Sequence, residues 1–294
     1  LMCGNPTKLE GVFYDSHTAD RDKYRCHKVD SRKSNRTSKD NIDMLIRKYG
    51  DDSDVVRVRV YGDFPKRSLD ALIALETVEQ AIDNKLPDAD IKNATRLSIG
   101  CDVARFGDDS TVITPRIGMK VFDQQKYSKN DTMETVGNII ATYRKYQDAY
   151  PQIAECRVKV DDTGVGGGVT DRLIEVAKDG GLPITVIPVN NGASATDDFY
   201  YNLGSQLWGN LKELLEENMS AAMQGKSPTL QLPKSEELTK QLISRKYKMS
   251  STGKIQLERK EDMKKRGLES PDCADSLTLC LYEPQVAQLK IYKF

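Results

Sequence analysis

Residues 158–173 read VKVDDTGVGGGVTDRL, and the class of the molecule turns on this stretch. A short apolar run ends on two adjacent acids, Asp161 and Asp162. A glycine-rich turn follows, then residues at helical spacing. Two chemistries use such an order. Glycines opening a helix can cradle a phosphate, or carboxylates at a strand end can hold a metal. The GVGGG at 164–168 is followed by no GK[ST], and no Walker loop occurs elsewhere in the sequence. It also lacks the dinucleotide-binding spacing. The carboxylates therefore carry the chemistry, and the glycines make room for it: they let the turn pass close to a metal and an incoming phosphate. Thr163 and the free amides opening the next helix can touch that phosphate.

Outward from this point, periodicity predicts a strand over 155–160 and a helix from about 167 to 178, then a strand over 183–189. Upstream, LSIGCDVA, STVITPRI and KVFDQQKY read as an antiparallel meander, followed by an amphipathic helix over 131–148. Downstream come helices over 199–218 and 235–244, a hairpin over 245–260 turning at Gly253, and a last helix over 271–283. A meander followed by strands alternating with helices predicts a layered α/β or α+β fold with a mixed sheet. Before residue 95 the pattern is looser. Residues 18–41 are charged and poor in aliphatics, and a helix is expected over 41–49. RVRVYGDFP at 57–65 alternates like a strand, 69–83 has helical spacing, and 85–95 reads as a polar linker. The division expected is 1–95 and 96–294.

Three acidic positions share a setting. Asp102 ends the first strand, Asp161 ends strand 155–160, and Asp272 and Asp275 open the last helix. Each alone is most simply a strand-end or capping residue. Together they form a set of hard oxygen donors suited to Mg²⁺ or Mn²⁺, and a pair of such ions can activate water against a phosphodiester. The i, i+3 spacing puts Asp272 and Asp275 on one helix face.

The 294 residues are 38% hydrophobic and 30% charged, with 44 basic and 44 acidic side chains, so whole-chain charge makes no case for nucleic acid. Locally the case differs. Arg245, Lys246, Lys248, Lys254, Arg259, Lys260, Lys264, Lys265 and Arg266 face only Glu258, Glu261 and Asp262 within 245–266. All but Arg259 are candidate contacts to a DNA backbone, the plainer alternative being a solvated face. Tyr200, Tyr201 and Trp208 at the start of the long helix are assigned to the core. Six scattered cysteines and two histidines make a zinc site improbable and suit reduced thiols in an intracellular protein. No membrane span or signal peptide is evident. The opening Leu1 suggests a piece of a longer protein.

IGCDVARFGDDSTVI (99–113), VKVDDTGVGGGVTDRL and SPDCADSLTL (270–279), the last preceded by GKIQLERKEDMKKRG, resemble the nuclease domain of phage large terminases. GNPT (4–7), GVFYDSHT (11–18) and RVRVYGDFP resemble the end of that family's ATPase domain. The resemblance implies a ribonuclease-H-like mixed sheet flanked by helices with a β-hairpin insertion, after the remnant of an ATPase domain whose ATP-binding motor is missing. It implies a two-metal endonuclease, using Mg²⁺ or Mn²⁺, that cuts concatemeric double-stranded DNA in the cytoplasm of the bacterial host. The portal ring and the small terminase subunit would be its partners. Asp102, Asp161 and Asp275 match the family's catalytic aspartates, with Asp272 as a further ligand. Asp162 falls at a variable position of the motif, and Asp109 in GDDST has the simpler role of shaping the hairpin after Asp102. Asp109, Asp162 and Thr163 are accessory candidates. A Holliday-junction resolvase or integrase-type nuclease, an actin-like sugar or acetate kinase fragment, and a catalytically dead DNA clamp are the rival readings.

Overall fold

The structure, a computed structural model, describes residues 2–6, 12–51, 56–64, 71–104, 110–250 and 252–284. The chain separates into two compact units, Leu1–Ala71 and Leu72–Phe294. In the first, a short helix α1 (Val12–Asp15) is followed by α2 (Lys39–Tyr49), which Ser38 caps by accepting the Asn41 amide. The strand expected over 57–65 is not one. Arg57–Tyr61 winds into a wide helical turn with Val58 and Val60 buried, closed by Gly62 at φ +66°. No strand pairs with this segment among the described residues.

The second unit begins earlier than the boundary expected near residue 95. Leu72, Ile73, Val78 and Ala81 are buried in one cluster with Trp208, Leu211 and Leu277. Apolar burial therefore joins α3 (Leu75–Asp83) to the larger unit, and the Asn84 amide seals it by donating to Asn218 Oδ1 (3.0 Å) and the Leu230 carbonyl (2.8 Å). The helix expected over 69–83 is helical only from Leu75, and residues 65–70 lie outside the described residues. The polar linker contains a helix of its own, α4 (Asp88–Lys92), with Ile91 buried.

The remaining elements follow in order: β1 (Arg96–Asp102), β2 (Ser110–Ile117), β3 (Lys120–Val121), β4 (Gln125–Ser128), α5 (Thr132–Ala149), β5 (Glu155–Asp161), α6 (Gly166–Asp179), β6 (Ile184–Val189), α7 (Leu203–Met223), α8 (Glu236–Ser244), β7 (Tyr247–Met249), β8 (Ile255–Leu257), α9 (Lys260–Lys265) and α10 (Asp272–Leu281). The sheet runs β3-β2-β1-β5-β6, with β4 also on β2. β1 and β2 are antiparallel, whereas β1–β5 and β5–β6 are parallel. This is the mixed α/β sheet flanked by helices that the sequence predicts. The third expected strand is split into β3 and β4, and between them Gln124 donates its side-chain amide to the Thr114 hydroxyl and the Cys273 carbonyl. Among the described residues no helix is long and apolar enough to cross a membrane.

Strand alternation sends Leu97, Ile99 and Cys101 into a core with Val158, Val160 and residues of α5 and α6. Ser98, Gly100 and Asp102 point the other way, towards α10. That helix is buried from Asp272 through Cys280 and packs closest at Gly100, where a Cβ would lie 2.1 Å from the Ser276 carbonyl and 2.4 Å from the Cys280 nitrogen. The Ser276 hydroxyl lies 3.0 Å from the Gly100 and Val112 carbonyls alike. At the far end of α10, Lys159 donates to the Cys280 carbonyl (3.3 Å) and Arg116 to Glu283 (2.6 Å).

A Gly100→Ala substitution should therefore push α10 off the sheet. The expected loss is about 1–3 kcal/mol, the overpacking range, read as a lower midpoint in urea unfolding. A variant as stable as the parent would show that this contact does not fix the helix.

Candidate active site

The four sequence-selected carboxylates arrive from three elements. Parallel pairing of β1 and β5, with Cys101 opposite Val160, brings Asp102 and Asp161 to neighbouring strand ends. Asp272 is the first residue of α10 and Asp275 lies one turn further on. All four line one cleft of about 510 Å³.

Each is held by a different partner. Asp275 Oδ1 accepts the Trp208 indole N–H and the Arg245 guanidinium, both at 2.8 Å. Asp272 Oδ2 accepts the Ser110 amide at 2.9 Å. Asp161 accepts the Thr163 amide and the Asn191 side chain, each at 3.0 Å. Among the described residues Asp102 has no such neutral donor, and it is 5% exposed.

A cation of the chain itself sits among them. The Lys260 ammonium lies 2.9 Å from Asp275 Oδ2, 3.5 Å from Asp102 Oδ2 and 3.6 Å from Asp272 Oδ1. Among the described residues no three acidic, His or Cys side chains are gathered closely enough to ligate a metal as they stand; the ammonium holds the position between them. The electrostatics follow. Burial pushes Asp102 well above the ordinary carboxylate range, and its acidic neighbours add to this against the pull of Lys260. Burial would raise Asp275 too, but Lys260 and Arg245 hold it below its ordinary value. Burial alone would lower Lys260, yet Asp102, Asp275 and Asp272 raise it well above the usual lysine range.

Several residues differ from the sequence expectations. Arg245 and Lys260 are expected to face DNA, but Arg245 is 8% exposed and both are spent on Asp275 within the protein. A buried carboxylate needs a counter-charge more than a solvated surface does. Arg266 clasps Glu258 through two hydrogen bonds, 2.8 and 2.6 Å, and Lys246 is half-buried. Lys248, Lys264 and Lys265 are exposed, Lys265 pairing with Asp262, and Lys254 pairs with Asp198. Arg259, outside the candidate set, is exposed and lines the cleft. Thr163 lines it as well, whereas Asp162 does not. Asp109 lies outside the described residues. Tyr200 and Trp208 are core residues, but Tyr201 is 52% exposed in the cleft.

Of the glycines in this turn, Gly166 serves packing within the chain. A Cβ on Gly166 would lie 1.7 Å from the Asp161 carbonyl oxygen, so this glycine lets α6 start directly against the end of β5. Gly167 and Gly168 meet only side chains, at 3.8 and 3.6 Å. Asn191 and the Trp208 N–H escaped the sequence reading because nothing local marks a side chain whose partner is 30 or 67 residues away.

Lys260→Ala leaves the carboxylates without their shared cation. The expected cost is about 1–3 kcal/mol, below that of a fully buried pair because Lys260 is partly exposed. Addition of Mg²⁺ or Mn²⁺ should then raise the Tm of the variant more than that of the parent. An equal shift in both would mean that divalent ions do not take the ammonium's place.

No family model matches the sequence, and no curated protein sequence matches it. Solved structures do. A lysine-to-alanine mutant of the nuclease domain of the large terminase subunit gp2 of bacterial virus Sf6, with manganese and beta-thujaplicinol, gives a TM-score of 0.59 at 24% identity over 73% of this chain and 99% of that one. The same mutant domain with calcium gives 0.59 at 23%, over 73% and 100%. The unmutated domain gives 0.58 at 24%, over 73% and 99%. The likeness is one of architecture, and this chain has the ribonuclease-H-like fold of the nuclease domain of phage large terminase subunits.

Proposed function

We propose that the chain is a divalent-metal-dependent endodeoxyribonuclease, the cutting part of a phage large terminase, acting on concatemeric double-stranded DNA during genome packaging. The observation that carries this reading is the convergence of Asp102, Asp161, Asp272 and Asp275 on one cleft, with the Lys260 ammonium already accepted by three of them. The donor set fits hard divalent cations: it is all carboxylate oxygen, and a positive charge is stable at its centre. Those four residues would hold the ions, a pair of Mg²⁺ or Mn²⁺. Such ions supply Lewis acidity to a phosphodiester and lower the pKa of an attacking water.

The remaining work belongs to the chain. Trp208 and Arg245 fix Oδ1 of Asp275, so that Oδ2 faces the cleft's cation. The Ser110 amide does the same for Asp272 by holding Oδ2 and leaving Oδ1 towards Lys260. Asn191 and the Thr163 amide orient Asp161. Arg259 at the cleft, with the exposed Lys248, Lys264 and Lys265, supplies positive charge for backbone phosphates. Contacts of that kind are indifferent to base sequence and weaken with salt. A cutter without base readout needs direction from partners, here the portal ring and the small terminase subunit, in the cytoplasm of the bacterial host. The actin-like kinase alternative has no use for Asp272 and Asp275 beside Asp102.

Supercoiled plasmid incubated with the purified chain should be nicked and linearised with Mg²⁺ or Mn²⁺ and spared with EDTA. Asp102→Ala should abolish this, and cleavage by that variant at the parent's rate would refute the reading. Asp161→Asn should lose at least about 100-fold in rate, a magnitude ordinary for removal of a group acting in the transition state. Asp162→Asn should lose much less, and equal losses would reverse the assignment.

A further inference from the structure

One cleft residue has no part in the carboxylate chemistry. Tyr200 and Tyr201 are adjacent, just before α7, yet their rings go to different places. Tyr200 is 3% exposed, donates its hydroxyl to Glu213 at 3.1 Å, and fills the space over Gly209, where a Cβ would come within 2.2 Å of the ring. Tyr201 is 52% exposed and lines the cleft that Asp102, Asp161 and Asp275 also line.

The backbone beneath Tyr201 is tied on both sides. Its amide donates to the Ile255 carbonyl at 2.9 Å, and the Ile255 amide donates to the Phe199 carbonyl at 2.7 Å, so residues 199–201 are strapped to β8. Asn202 then caps α7 by accepting the Ser205 amide at 3.0 Å. The result is a large ring on a fixed mount, half in solvent, in the cleft where the reaction is placed.

An exposed aromatic face beside a phosphate-handling site is the arrangement that stacks nucleobases. In an intact duplex each base face is already covered by its neighbours, so a side chain reaches one only where the strands are parted or a step is unstacked. A phosphate drawn to divalent cations among the carboxylates would bring its own nucleoside into the same cleft. We infer that Tyr201 is a positioning residue that stacks on an unpaired base next to the phosphate to be cut, so that within double-stranded DNA the cleft engages a locally opened step in preference to a fully paired one. This rests on the nuclease reading above.

The test uses the full 294-residue chain with three labelled oligonucleotides of one sequence: single-stranded, duplex with a central unpaired bubble, and fully paired. Binding is read by fluorescence anisotropy in Ca²⁺, and cleavage by initial rates in Mn²⁺. The parent should favour the bubble over the paired duplex. Tyr201→Ala should weaken binding of the single strand and raise KM for the bubble by about tenfold, the effect of one lost aromatic–base stack, with a much smaller change for the paired duplex. Tyr201→Phe, which keeps the ring, should behave as the parent does. Equal losses on all three DNAs would mean a structural role and overturn the inference, as would no loss at all, or a Tyr201→Phe variant as impaired as Tyr201→Ala. Failure of the nuclease reading looks different: no metal-dependent cleavage of any DNA by the parent, whatever the binding of the Tyr201 variants.

Discussion

The close seat of α10 on β1 at Gly100 is the contact on which the rest of the molecule depends. A single missing Cβ lets the helix backbone approach the strand, and the Ser276 hydroxyl then reaches two strand carbonyls. That seat fixes the height of the helix above the sheet. It thereby decides whether Asp272 and Asp275 stand level with the ends of β1 and β5 or miss them. Lys159 and Arg116 secure the opposite end of the helix through Cys280 and Glu283, where its carbonyls present negative charge. These contacts at both ends of the helix set where its two acids stand.

Gathering carboxylates has a cost of its own. Like charges at short range in a buried setting repel strongly, and desolvation disfavours each charged form. The protein meets this with two cations of different character. Arg245 is buried, stacks against Trp208 with its guanidinium carbon 4.8 Å from the ring centroid, and is committed to one oxygen of Asp275. Lys260 is partly exposed and shared among three acids. The first is an orienting device; the second is a flexible cation on a long stem, suited to giving way to another positive charge.

Much of this was legible in the sequence, and the reason is local. Each strand ends on its acid, and the period of the apolar residues gives the strand or helix that carries it, so Asp102, Asp161, Asp272 and Asp275 could be named together. What escaped was nonlocal. The basic run at 245–266 looks uniform in sequence, yet Arg245 and Lys260 turn inward to buried acids while Lys248 and Lys264 remain exposed; only packing separates them. Tyr200 and Tyr201 are alike in sequence and opposite in burial, because the first finds the space over Gly209. Within the strand expected at 57–65, Arg57–Tyr61 is a helical turn and no strand among the described residues lies beside it, a condition that alternation by itself cannot reveal. The early boundary of the second unit likewise depends on what Leu72 and Val78 pack against, not on composition around residue 95.

The central claim is that one position among Asp102, Asp161, Asp272 and Asp275 accepts a divalent cation in exchange for the Lys260 ammonium. Anomalous diffraction from crystals soaked in Mn²⁺ tests it directly. The account predicts a strong peak within about 2.0–2.6 Å of oxygens from Asp102 and Asp275, the range of hard-cation coordination, with the Lys260 side chain swung out of the cluster. Manganese bound elsewhere, with the ammonium still seated on its three carboxylates, would contradict it.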